Sequence, residues 1–200
     1  MTVVRIDADR VLVHSPIAAS PELLREVASI GPIAFLVAPN RYHHLFVGHW
    51  QKAFPDAQVW VAPGVEHKRP DLRIDGVIAT GVVAPWSGAL DHVGIEGWPM
   101  TNEVVFFHRA STTLIATDIA LNIGADSPPL TRMAFRLHGT FGRLAPTLLE
   151  RVAVRDRLAF RRSLEAALAW PFERVVVAHG AVVESQGREA LVRGYSWVLG

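Results

Sequence analysis

Cysteine is absent from this 200-residue chain. That excludes disulfides, thiolate metal ligands and cysteine nucleophiles, so any bound metal must be held by imidazole and carboxylate groups, and it fits a reducing compartment. A dominant charge is missing too: 20 Lys and Arg face 19 Asp and Glu for a net charge of +1. No global field therefore argues for nucleic acid or for an acidic substrate. No stretch approaches the roughly twenty uninterrupted apolar residues of a membrane span. The amino terminus "MTVVRIDADR" alternates apolar and charged residues, without the basic segment and apolar run of a secretion signal. No membrane association is expected, and the expected location is cytoplasmic. Glycine-rich signatures are also lacking: no G-x-G-x-x-G, P-loop or G-x-S-x-G stretch occurs, which leaves nucleotide binding and a serine-hydrolase elbow unsupported.

What is present is an ordinary globular composition, 50% hydrophobic and 20% charged, long enough to bury a substantial core and expected to form one domain over residues 1–200. There is no internal repeat or long polar linker. "SPELLREVASIG" has serine as N-cap, proline at the first helical position and a closing glycine, and predicts a helix over about Pro21 to Ile30. "PIAFLVAP" reads as a strand covered on both faces, followed by a histidine-bearing turn, a short helical segment near "LFVGHWQKAF" and a further strand "AQVWVAP". With "RVLVHSPI" before the first helix as a further strand, this β-α-β-α-β opening predicts a mostly parallel inner sheet with helices outside. The middle of the chain changes rhythm: "GVIATGVV", "HVGIEG" and "EVVFFHRASTTLIATDIA" read as strands in quick succession. Residues 148 to 170 read as one helix, and "FERVVVAHG" as a last inner strand before a terminal helix.

In open α/β architectures functional groups gather where strands end. Of nine histidines, that places His43 and His44, after "IAFLVAP", and His179, closing "ERVVVAHG", in such positions, with Asp118 closing "TTLIATD". Histidine and carboxylate together suit zinc, iron or manganese. If "RAST", Arg109 to Thr112, is a four-residue hairpin turn, His108 faces Thr113 and Glu103 becomes the neighbour of Asp118. His108 is then roughly 16 Å from the Asp118 end at ~3.3 Å per residue, and is expected to be structural. His49, five residues past His44, would point away from it on a helix. His67, His92 and His138 lie in loops where solvent is the usual explanation, and the arginines from Arg132 to Arg162 are interrupted by Glu150 and Asp156.

The order of these motifs resembles the metallo-β-lactamase-fold superfamily, in a branch with a degenerate H-x-H-x-D-H turn, over about Val11 to Val183. The resemblance implies a four-layer αβ/βα sandwich of mixed sheets with helices outside. Aligned on the strand before it, "APNRYHHL" puts Pro39 and Arg41 where the superfamily has its first two histidines, His43 on its aspartate and His44 on its last histidine. The mid-chain histidine expected within "GWPMTNE" is absent, whereas Asp118 and His179 match the bridging aspartate and the late histidine. The resemblance thus implies at most one divalent ion, zinc first and iron or manganese next, held by His43, His44, Asp118 and His179. Arg41 is implied as the group that neutralises developing negative charge, and Glu103 as a supporting carboxylate or spare ligand.

Two functions follow as expectations: a metal-dependent hydrolase acting on a small-molecule substrate, or a catalytically silent member of the fold that binds a small ligand or a partner. Nucleic-acid binding through the basic helix is a third and weaker reading. Oligomeric state is left open, a homodimer included.

Overall fold

Runs of valine and leucine make strands that tolerate burial on both faces. "VLVH" forms strand β2 (Val11–His14) and "IAFLVA" forms β3 (Ile33–Ala38). In the computed structural model, which describes residues 1–200, these strands lie in a sheet with β1 (Thr2–Arg5), β4 (Gln58–Val61) and β5 (Gly76–Val77), ordered β1-β2-β3-β4-β5. β1 pairs antiparallel with β2, and the remaining pairs are parallel. Parallel neighbours need crossovers, supplied by helices α1 (Pro21–Ala28), α2 (Val47–Ala53) and α3 (Val65–Lys68).

The chain divides into two compact units, Met1–Leu90 and Asp91–Gly200. In the first, the Ser20 side chain accepts the Leu23 N–H at 3.2 Å, so α1 starts where its sequence predicts and ends at Ala28, just short of Ile30. Trp86 is buried edge-on against Phe35 and Trp60, with ring centroids 5.4 and 5.3 Å away. "GVIATGVV" yields only the two residues of β5, because the chain turns at Gly81, whose φ is +83°.

The second unit is built on strands β6 (Leu90–Gly94), β7 (Val104–His108), β8 (Thr113–Ile115) and β9 (Arg174–Val176), in that spatial order. β7 and β8 form the expected hairpin, and β9 runs parallel to β8, so this sheet is mixed. Helices α4 (Pro129–Leu137), α5 (Leu148–Ala153), α6 (Arg157–Leu168), α7 (Gly187–Gly194) and α8 (Ser196–Leu199) complete it. α6 buries Ala159, Phe160, Ser163, Leu164, Ala167 and Leu168, one helical face. Of these, Phe160, Leu164, Ala167 and Leu168 form the core of the unit with Trp98, Val105, Phe107, Leu114, Phe172, Val175 and Tyr195.

The single helix expected over residues 148 to 170 is instead two, α5 and α6. The backbone N–H groups of Arg155 and Asp156 leave the helical ladder and donate to the Gly97 carbonyl at 2.8 and 3.2 Å. The Asp156 side chain then caps α6, accepting from Leu158 and Ala159 at 3.0 Å each. Both units belong to the α/β class expected from the sequence. No helix is long and apolar enough to cross a membrane.

Candidate metal centre

The hairpin register decides what surrounds Asp118. Phe106 pairs with Ile115, Phe107 with Leu114 and His108 with Thr113. Continued three steps beyond the last paired residues, this count sets Glu103 beside the segment 117–119. Its carboxylate is fully buried and accepts three backbone N–H bonds: Oε1 from Thr117 at 2.6 Å, and Oε2 from Asp118 and Ile119 at 2.8 Å each. Burial, with the Asp118 carboxylate adding, pushes its pKa up to about 8, against the pull of these N–H groups on the ionised form. Both oxygens of Glu103 are thereby committed to the backbone.

His179 lies beyond the end of β9, on a segment fixed by a second close approach. The N–H of Asn122 donates to the His179 carbonyl at 3.0 Å, and the N–H of Ala181 to the Asn122 carbonyl at 2.9 Å. Gly180, at φ +106°, has the Asn122 carbonyl oxygen 2.0 Å from where a Cβ would stand, so glycine is required after this histidine. The result brings His179 Nε2 to 3.2 Å from Asp118 Oδ1. The hydrogen bond to Asp118 raises the His179 pKa first, opposed by burial and helped by the charges of Asp118, Glu150 and Glu103. Two donor atoms this far apart suit one cation with bonds of ~2.0–2.2 Å.

In the first unit the histidine turn is organised by Asn40, whose buried side-chain oxygen accepts the N–H groups of Tyr42 and His43 at 2.8 Å each. The two adjacent imidazoles then diverge. His43 Nδ1 lies 2.7 Å from Ser15 Oγ, just past β2. His44 is buried, with Arg69 Nη1 donating to its carbonyl at 2.6 Å and standing 3.5 Å from its Nδ1. Burial first, then the charges of Arg69 and Lys68, lowers the His44 pKa. Arg41 has its carbonyl bound by Lys68 Nζ at 2.9 Å, and its side chain runs along Gly64, where a Cβ would stand 3.3 Å from Arg41 Nε.

His108 is at the hairpin turn, its Nδ1 2.7 Å from Ser111 Oγ, in keeping with a structural role. His49, His67 and His138 are exposed, while His14, at the end of β2, is buried. Three relevant partners escape a reading based on histidine and carboxylate at strand ends: Ser15, Arg69 and Glu150. Only Glu150 carries a local signal, since "TLLE", Thr147 to Glu150, spells a capping box that the structure forms at the start of α5. Its partly buried carboxylate interacts electrostatically with both Asp118 and His179, and burial raises its pKa.

A family model described as "Domain of unknown function (DUF4336)" matches residues 1–140, a span that includes Asp118 and stops before His179. No curated protein matches the chain. Among solved structures, the DIM-1 metallo-β-lactamase superposes with a TM-score of 0.64 at 13% identity, covering 98% of this chain and 84% of that one. A metallo-β-lactamase from Pontibacter korlensis gives 0.62 at 13% identity, covering 98% and 85%. The metal-soaked Flv1 flavodiiron core from Synechocystis sp. PCC6803 gives 0.62 at 11% identity, covering 96% of this chain and 50% of that one. The chain therefore has the metallo-β-lactamase fold, and identities this low speak to the fold alone.

Proposed function

This chain belongs to the DUF4336 family, and from its fold and the Asp118–His179 pair we propose that it is a metal-dependent hydrolase-like protein that holds one divalent ion and acts on a small-molecule substrate. The observation that carries this reading is the 3.2 Å approach of a carboxylate oxygen to an imidazole nitrogen, on two segments past strand ends, one held by the Glu103 carboxylate and the other by the Asn122 backbone. In a chain without cysteine that donor set suits zinc first, then iron or manganese. A bound ion of this kind polarises a substrate oxygen and brings the pKa of water toward neutrality.

The protein's own groups have separate tasks. Asp118 and His179 bind. Glu103 is a positioning residue: with both oxygens on backbone N–H groups, it fixes the direction in which Asp118 leaves the strand. Motif order along the chain makes His43 the next donor proposed. His44 follows it with only Nε2 clear of the Arg69 guanidinium. Arg41 is assigned to negative charge on the substrate.

The proposal is tested by elemental analysis of protein purified without chelator, with wild type set against Asp118→Ala and His179→Ala. One equivalent of a divalent metal in wild type, lost in both variants, is the expected result; a metal content equal in all three would overturn it. The second reading, a silent ligand-binding member of the fold, draws on Pro39 and Arg41 standing where the superfamily places histidines. It is separated from the first by assaying ester and lactone hydrolysis on metal-loaded protein.

A further inference from the structure

Three arginines of the second unit, Arg143, Arg151 and Arg193, line one cleft of about 650 Å³ whose wall contains no carboxylate. Seven arginines elsewhere in the chain, Arg10, Arg25, Arg69, Arg73, Arg109, Arg161 and Arg174, each form an ion pair. None of the three in the cleft does so. Glu184, the nearest acid in sequence to the wall residue Ser185, is turned to Arg174 at 2.8 Å. Arg151 Nε is buried without a hydrogen-bond partner, its guanidinium lying 5.8 Å from the Trp197 ring centre.

The backbone shapes this concavity tightly. Gly194 of α7 sits so close to the chain at Leu144 that a Cβ there would stand 2.1 Å from the Leu144 carbonyl oxygen, which brings the Arg193 and Arg143 segments together. Three guanidinium groups around one concavity without a carboxylate give it a positive potential that favours an anion. Guanidinium groups match phosphate oxygens two at a time, and Ser185, Gln186 and Ser196 add neutral hydrogen-bonding groups to the same wall. The volume falls in the range of ~300–1,000 Å³ typical of small organic ligands, well beyond what a lone phosphate fills.

We propose that this cleft is a binding site for a small organic phosphate carrying at least two negative charges. It does not depend on the metal reading, since neither Asp118 nor His179 lines it.

The test is isothermal titration calorimetry on the full chain with fructose 1,6-bisphosphate, pyrophosphate and uncharged fructose. Fructose 1,6-bisphosphate is expected to bind and fructose not to. Its affinity should weaken about tenfold or more in Arg143→Ala and in Arg193→Ala, less in Arg143→Lys, and remain unchanged in Arg162→Ala, an exposed arginine outside the cleft. Both cleft positions tested are exposed, so folding should survive, as checked by circular dichroism. The proposal is overturned if fructose 1,6-bisphosphate fails to bind, if pyrophosphate binds and the sugar bisphosphate is excluded, or if Arg162→Ala loses as much affinity as the cleft variants.

Discussion

One oxygen of Glu103 accepts the N–H groups of both Asp118 and Ile119 at 2.8 Å, so a carboxylate on one side of the hairpin fixes the backbone that aims a second carboxylate on the other. The second oxygen holds Thr117 at 2.6 Å. This bracket ties the fold of the second unit to the aim of its proposed metal ligand.

Removing it should therefore cost stability and aim together. Glu103→Ala leaves three N–H groups without their acceptor at a buried position, and at ~1–3 kcal/mol for each buried group left unpaired, a loss of at least about 3 kcal/mol is expected in urea unfolding. Glu103→Gln keeps one carbonyl oxygen and turns an NH2 group toward N–H donors, so it should lie between wild type and Glu103→Ala. A Glu103→Ala protein as stable as wild type would show that the bracket contributes nothing.

Metal retention separates the histidines. Asp118→Ala and His179→Ala should lose the ion while keeping the far-ultraviolet circular dichroism of wild type, because neither side chain is part of the apolar core of the unit. His108→Ala should keep the ion, since its imidazole is hydrogen-bonded to Ser111 in the turn. Elemental analysis reads both. Equal loss from the His108 variant would place that imidazole in the metal sphere, against the hairpin register.

The Glu103–Asp118 relation was legible in the sequence because a hairpin turn of known length makes facing residue numbers sum to a constant. The capped start of α1 was legible because Ser20 and Pro21 act locally. The break between α5 and α6 was not, since periodicity runs through Val154 to Asp156 and the competing acceptor is the Gly97 carbonyl, distant in the chain. The divergence of His43 and His44 was hidden for the same reason: Ser15 and Arg69, which engage them, lie 28 and 25 residues away. Local chemistry can be read from neighbouring letters; side-chain direction at a loop depends on partners that only the fold supplies.

His14 predicts a pH dependence. Its burial, with the amino terminus and His43 adding, depresses its pKa from 6.5 to about 3, so the folded protein keeps it neutral where the unfolded chain protonates it. Between these values the unfolded state binds more protons, and stability falls as pH drops below 6.5. The expected loss is about 1.4 kcal/mol per pH unit in that window. Chemical denaturation of metal-free protein at several pH values should show this slope, and His14→Phe should flatten it; an unchanged slope in the variant would assign the effect to another group.

Gly97 allows steric clash to be separated from backbone strain. It has φ +72°, and a Cβ there would stand 2.1 Å from the Asp156 carbonyl oxygen and 2.9 Å from the Phe160 nitrogen, both backbone atoms at the start of α6. Gly139 has nearly the same φ, +69°, with nothing within 4 Å of its Cβ position. Gly139→Ala should therefore cost only the left-handed conformation, ~1–2 kcal/mol. Gly97→Ala must in addition push away the first turn of the helix that buries Phe160 and Leu164, and a loss of about 3 kcal/mol or more is expected. The two variants compared by thermal unfolding read the difference directly. Equal losses would mean that α6 can shift freely away from residue 97, and that the hydrogen bonds from Arg155 and Asp156 to the Gly97 carbonyl do not set where the helix begins.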